Sequence, residues 1–130
     1  MTLQEKQQEF IDLFNELGEW PNRFNYLIAL ADELTSMPAH LIMPETKIQN
    51  CVSQTYFACT YIDGKAHIYG KSNAAIPAGI IKVMHELFNG RYRSEIHETL
   101  INFHTETKLI EHLTPARAGA LAQMIERILI

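Results

Sequence analysis

The dipeptide Asp63-Gly64 constrains this chain more than any other feature. It lies between two β-prone runs within Ser53 to Tyr69, and a two-residue Asp-Gly turn joining such runs signals a type I′ hairpin. The turn length fixes the register. It pairs Ile62 with Lys65, Tyr61 with Ala66, Thr60 with His67 and Cys59 with Ile68. Side chains alternate across a strand, so one face carries Phe57, Cys59, Tyr61, Ala66 and Ile68, all fit to pack on a core. The other face shows Thr60, His67 and Lys65. A two-stranded hairpin is marginal alone, so Thr46 to Asn50 is expected to add a third strand.

The layer that covers this sheet is helical by pattern. Leu3, Phe10, Leu13, Phe14 and Leu17 recur at helical spacing, with Gly18 placed to end the helix. Trp20-Pro21 starts a second helix, whose stripe runs through Tyr26, Leu27, Leu30 and Leu34. The connection is short, so the two helices form an antiparallel hairpin. From Thr35 to Asn50 the periodicity is lost, and Met37-Pro38 and Met43-Pro44 favour extended backbone. An irregular stretch of that length in a compact domain is itself a functional hint.

Beyond the hairpin, Asn73 is expected to cap a helix carrying Ile76, Ile80, Val83, Met84 and Leu87, ended by Gly90. Ser94 is expected to cap a shorter helix with Leu100 and Ile101. A segment around Leu109 to Leu113 follows, and Thr114-Pro115 opens a last helix with Leu121, Met124, Ile125 and Ile128. The fold class is α+β, with helices packed on one small antiparallel sheet of about three strands.

Size and charge restrict function. The 130 residues suit a single domain spanning 1–130. Net charge is −4 with both signs spread along the chain, and there is no basic block to track phosphates, so nucleic acid is not an expected partner. Apolar stretches such as Tyr26 to Ala31 are too short for a bilayer. The polar start, Met1 to Phe10, lacks the basic and apolar regions of a signal peptide, so a cytoplasmic protein is expected.

The candidate chemistry narrows to one thiol. Cys59 lies mid-strand on the apolar face, where a cysteine behaves as a small hydrophobe. Cys51 lies at the junction of the irregular loop and the strand, among Lys47-Ile48-Gln49-Asn50-Cys51-Val52-Ser53, where a thiol can be presented to a partner. On one extended segment the two sit about 26 Å apart, and a disulfide needs Cα atoms within about 7 Å. The six histidines, His97, His104 and His112 among them, show no metal-ligand spacing. No Gly-x-Ser-x-Gly turn and no phosphate-cradling glycine loop is present.

Three segments together resemble the SufE-like sulfur acceptors that partner group-II (SufS-type) cysteine desulfurases. Lys47-Ile48-Gln49-Asn50-Cys51-Val52-Ser53-Gln54-Thr55-Tyr56-Phe57 resembles that family's acceptor-cysteine loop and the strand leaving it. Gly70-Lys71-Ser72-Asn73-Ala74-Ala75-Ile76-Pro77-Ala78-Gly79-Ile80-Ile81 is similar to its strand end and helix start. His112-Leu113-Thr114-Pro115-Ala116-Arg117-Ala118-Gly119-Ala120-Leu121-Ala122-Gln123-Met124-Ile125 looks like its Leu-Thr-Pro-x-Arg terminal helix, and Trp20-Pro21-Asn22-Arg23-Phe24-Asn25-Tyr26-Leu27-Ile28 also fits.

The resemblance implies a SufE/IscU-like α+β fold, related to that of Fe–S scaffold proteins. It implies Cys51 as the acceptor of a persulfide sulfur that passes on to an Fe–S assembly scaffold. The protein would then be a sulfur-transfer accessory rather than a stand-alone enzyme, stimulating the desulfurase. It needs no cofactor of its own, because the pyridoxal phosphate belongs to the partner. Asn50 stands where the family usually has glycine, which leaves the loop's backbone path open. Lys71 and Asn73 stand where acids are common, which leaves details of the desulfurase contact open.

A thiolate at Cys51 calls for a nearby cation or helix N-terminus. Lys47, the helix start after Asn73, and Arg117 are the candidates. Two other functions compete: a non-catalytic desulfurase-binding adaptor, and an Fe–S scaffold. The scaffold would need several cysteine ligands where the chain offers one exposed candidate.

Overall fold

A computed structural model describes the whole chain, Met1–Ile130. Helices α1 (Leu3–Glu16) and α2 (Trp20–Ala31) open it, and two 3₁₀ turns, Ala39–Leu41 and Pro44–Thr46, lead into strands β1 (Thr55–Ile62) and β2 (Lys65–Ser72). Then come α3 (Ala75–Phe88), α4 (Arg93–Glu98), α5 (Phe103–Glu106), α6 (Leu109–His112) and α7 (Pro115–Ile128). The architecture is α+β, with helices on one small antiparallel sheet. No helix is long and apolar enough to cross a membrane.

The hairpin follows its turn. Asp63 (φ 53°) and Gly64 (φ 79°) both adopt the positive φ that a type I′ turn requires. The pairing expected near the turn continues outward to Thr55 opposite Ser72. Phe57, Ala66 and Ile68 are buried beneath α3 and α7. Cys59 and Tyr61, on the same face, are only half-buried.

The sheet has two strands, not three. The segment from Thr46 to Asn50 meets β1 only through a bridge between Lys47 and Tyr56. The reason lies on α7. The Arg127 guanidinium donates to the carbonyls of Thr46 at 2.7 Å, Phe57 at 2.5 Å and Lys47 at 3.0 Å. A side chain thereby takes acceptors that a longer ladder would have used.

Helix ends follow local chemistry with two departures. Thr2 and Glu5 form a capping box on α1, and Thr114 caps α7 ahead of Pro115. Asn73, however, does not cap α3; Ala74 holds that position with no side-chain cap. The Asn73 side chain instead accepts from the Gln54 N–H at 3.0 Å, and its own N–H donates back to the Gln54 carbonyl. That exchange closes the open end of the hairpin. Ser94 lies inside α4, which Tyr92 precedes, and the extended backbone at Thr99 ends that helix before Leu100 and Ile101, leaving Leu100 78% exposed.

On α1 the core-facing stripe includes Ile11 and, unexpectedly, Gln7, while Leu13 is 40% exposed. Gln7 is buried because its amide serves the turn before α5. Its nitrogen donates to the Leu100 carbonyl at 2.9 Å, and its oxygen accepts from the N–H groups of Asn102 and Phe103. Gln7→Leu leaves these backbone groups without partners, so a loss of about 2 kcal/mol is expected. Urea unfolding checks it: the midpoint should fall while the slope stays constant.

Candidate functional site

Cys51 sits where three elements meet. The limb before it is bolted to α7. The Gln49 N–H donates to the Gln123 side chain at 2.8 Å, and Gln123 returns a bond to the Gln49 carbonyl at 2.7 Å. With the Arg127 bonds, this fixes the chain from Thr46 to Gln49, and Ile48 is buried in the core. Asn50 then turns the backbone with φ 58°, in the left-handed region.

Asparagine is the non-glycine residue that tolerates this region best, so the loop keeps a glycine-like path without glycine. Asn50→Gly should therefore change stability by less than about 0.5 kcal/mol, whereas Asn50→Val should cost about 1–3 kcal/mol. Paired urea midpoints would test both.

After Asn50 the loop opens. Val52 is 98% exposed, an apolar side chain standing in solvent at the loop tip. Cys51 beside it is half-buried and packs on the edge of the core. Its thiol borders a hollow of about 370 Å³ lined by Val52, Ser53, Ala74, Thr114, Ala116 and Arg117.

Ala74 and Thr114 are the N-cap residues of α3 and α7, both helices of 14 residues. Two helix N-termini and one guanidinium thus surround the hollow, all of which favour an anion there. Of the candidate cations and helix ends, the α3 start and Arg117 line this space, and Lys47 does not.

Hydroxyl groups also reach the sulfur. Ser53 Oγ is 3.1 Å from Cys51 Sγ, and Thr55 Oγ1 is 3.7 Å away. Ser53 and Thr55 are joined at 2.9 Å, and Thr55 and Ser72 at 2.8 Å. The sequence reading passed over these hydroxyls. Extending the hairpin register to its end, where Thr55 faces Ser72, would have found that last pair.

Cys59 opens onto a different hollow of about 420 Å³, with Glu45, Tyr61, Arg93 and Arg127 in its walls. Burial pushes the Cys59 thiol above its ordinary value and the Tyr61 phenol up to about 12. Tyr61 donates to the Ile128 carbonyl, and Arg93 lies over its ring at 5.0 Å. The cations of this hollow are engaged: Arg127 by three carbonyls, Arg93 by the ring.

No histidine lines either hollow. His112 stacks on Trp20 with ring centroids 3.7 Å apart. His104 lies against Phe103 with its Nδ1 buried, and burial pushes its imidazole below the ordinary value. No three His, Cys, Asp or Glu side chains gather as a metal-binding group.

The chain is similar to known proteins in sequence and in fold. The sequence model of the family described as "SufE: Fe-S metabolism associated domain" matches residues 8–129. An uncharacterized SufE-like protein of Rhizobium meliloti is 35% identical over 126 residues, covering 92% of this chain and 89% of the relative. A second, from Rhizobium etli, is 30% identical over 127 residues, covering 92% of this chain and 84% of that one. The solution structure of a hypothetical protein from Thermus thermophilus has the same fold, with a TM-score of 0.72. That match covers 98% of this chain and 96% of the other at 18% identity.

Proposed function

The chain belongs to the SufE family, with its part in Fe–S metabolism, and from that premise we propose that it carries sulfur on Cys51. The donor is the persulfide of a pyridoxal-phosphate cysteine desulfurase, and the destination is an Fe–S assembly scaffold. One observation supports this reading above others. Of two half-exposed thiols, only Cys51 combines a protruding loop tip with a hollow walled by two helix N-termini and Arg117.

The chemistry is thiolate attack on sulfur, a relative of thiol–disulfide exchange. Cys51 loses its proton to water, and its sulfur attacks the terminal sulfur of the partner's persulfide. A new S–S bond forms at Cys51 as the bond to the partner's cysteine breaks, and the electron pair leaves with the partner's thiolate. Sulfane sulfur moves without net oxidation. Release of the carrier then frees the desulfurase for another turnover.

Val52, exposed beside the thiol, suits a contact that brings the two sulfurs together. Its apolar side chain gains by leaving water. Mass spectrometry after incubation with a desulfurase and free cysteine tests the proposal. The Cys51 peptide should gain the mass of one sulfur atom and lose it on reduction, with the Cys59 peptide unchanged. Stimulation of the desulfurase without that gain would leave an adaptor instead.

A further inference from the structure

Four polar groups connect Cys51 to the start of α3. The Ala74 N–H donates to Ser72 Oγ at 3.1 Å, Ser72 meets Thr55 at 2.8 Å, Thr55 meets Ser53 at 2.9 Å, and Ser53 meets Cys51 Sγ at 3.1 Å. We propose that Ser53, Thr55 and Ser72 form a hydroxyl chain that directs hydrogen-bond donation onto the Cys51 sulfur, holding it as a thiolate aimed for attack. These are positioning residues, and their use in sulfur transfer rests on the reading of Cys51 as acceptor.

Polarity at the two ends carries the argument. A backbone N–H can only donate, so Ser72 Oγ accepts at the α3 end, and its own proton is free for Thr55. Thr55 can then donate to Ser53, and Ser53 to sulfur. While Cys51 is a neutral thiol, its S–H can donate the other way and the inner hydroxyls can point in either direction. Once the proton has gone to water, the sulfur can only accept, which sets every hydroxyl donating toward it, and the Ala74 N–H at the far end is compatible with that orientation. Three hydroxyl rotations reach it without moving a heavy atom.

Bonds to a charged acceptor are about twice as strong as neutral ones, and each link polarises the next. The chain ends on a group that cannot accept a proton. It therefore serves as a donor wire, not as an exit for the Cys51 proton.

The burial of Thr55 supports the role. Its side chain is fully buried (0% exposed), in a strand position where valine would fit without a polar atom to satisfy. A buried hydroxyl is costly unless it is partnered, and here its partners lie along the line from α3 to the thiol. Arg117 is the only charged side chain lining the hollow, and it stays constant across the variants below.

The experiment is the iodoacetamide alkylation rate of Cys51 against pH, read by peptide mass spectrometry, with Cys59 as internal reference. Thr55→Val and Ser72→Ala should each slow Cys51 about threefold to tenfold near neutral pH. The deficit should vanish at alkaline pH, where every thiol is ionised. Thr55→Ser should restore the wild-type profile.

A chain has a further signature, because cutting it twice does no more than cutting it once. Adding Ser72→Ala to Thr55→Val should therefore slow Cys51 no further. The proposal is overturned if Ser72→Ala leaves the profile unchanged, if the losses are equal at all pH values, or if Thr55→Ser fails to rescue. Alkylation needs no desulfurase, so the two readings separate. A persulfide that never appears on Cys51 removes the carrier function while these profiles still judge the chain.

Discussion

Cys51→Ser should abolish stimulation of the cognate desulfurase, while Cys59→Ala should retain most of it. Serine nearly preserves the volume and hydrogen-bonding of the thiol, so the loop and its hydroxyl partners remain. What disappears is the nucleophile. A hydroxyl ionises too poorly near neutral pH to attack sulfur, and only sulfur can hold the transferred atom as a persulfide.

Cys59 has the opposite setting. Burial pushes its thiol upward, and the cations near it are already engaged by carbonyls and by the Tyr61 ring. Alanine there removes one sulfur from a half-buried site and leaves the Cys51 hollow untouched. Turnover assays of the desulfurase with each variant decide the matter. Equal loss in two well-folded variants would remove the distinction between the thiols.

That distinction was only partly legible in the sequence. Asp63-Gly64 fixes the hairpin because a two-residue turn leaves one register, and that register held over all eight pairs. The helical stripes were legible for the same local reason, since each spacing is decided within a few residues. Side chains acting over long separations were not.

Arg127 lies 80 residues from Lys47, yet its guanidinium takes the carbonyls that would have made Thr46 to Asn50 a strand. Asn73 looked like a cap, but Gln54, 19 residues earlier, claims its side chain. Gln7 carries no apolar signal, and the partners that bury it lie more than 90 positions away. At the candidate site, Cys51 was singled out by its loop and by the family resemblance, and its role is a proposal. The convergence of α3, α7 and the hydroxyls of β1 and β2 existed only in the folded chain.

Gly79→Ala and Gly119→Ala should change stability in opposite directions, although both replace a helical glycine with the best helix former. Propensity alone predicts a gain of about 1 kcal/mol at each. Gly119 lies in α7, and a Cβ built there meets nothing within 4 Å. The propensity gain should appear almost whole, at about 0.5–1 kcal/mol.

Gly79 is buried in α3 where α2 crosses it, and a Cβ there would lie 2.1 Å from the Leu27 carbonyl oxygen and 2.7 Å from its carbon. These are backbone atoms inside a regular helix, so no rotamer change relieves the overlap. Either α2 moves away from α3 or the α3 backbone bends, and both loosen packing around Leu27 and Ile80, which are almost fully buried.

Overpacking costs about 1–3 kcal/mol and occasionally more, and against unyielding backbone atoms it outweighs the propensity gain and reverses the sign. Thermal and urea midpoints of the two variants, measured side by side, test it. If Gly79→Ala were as stable as the parent, α2 would not approach α3 as closely as the structure has it.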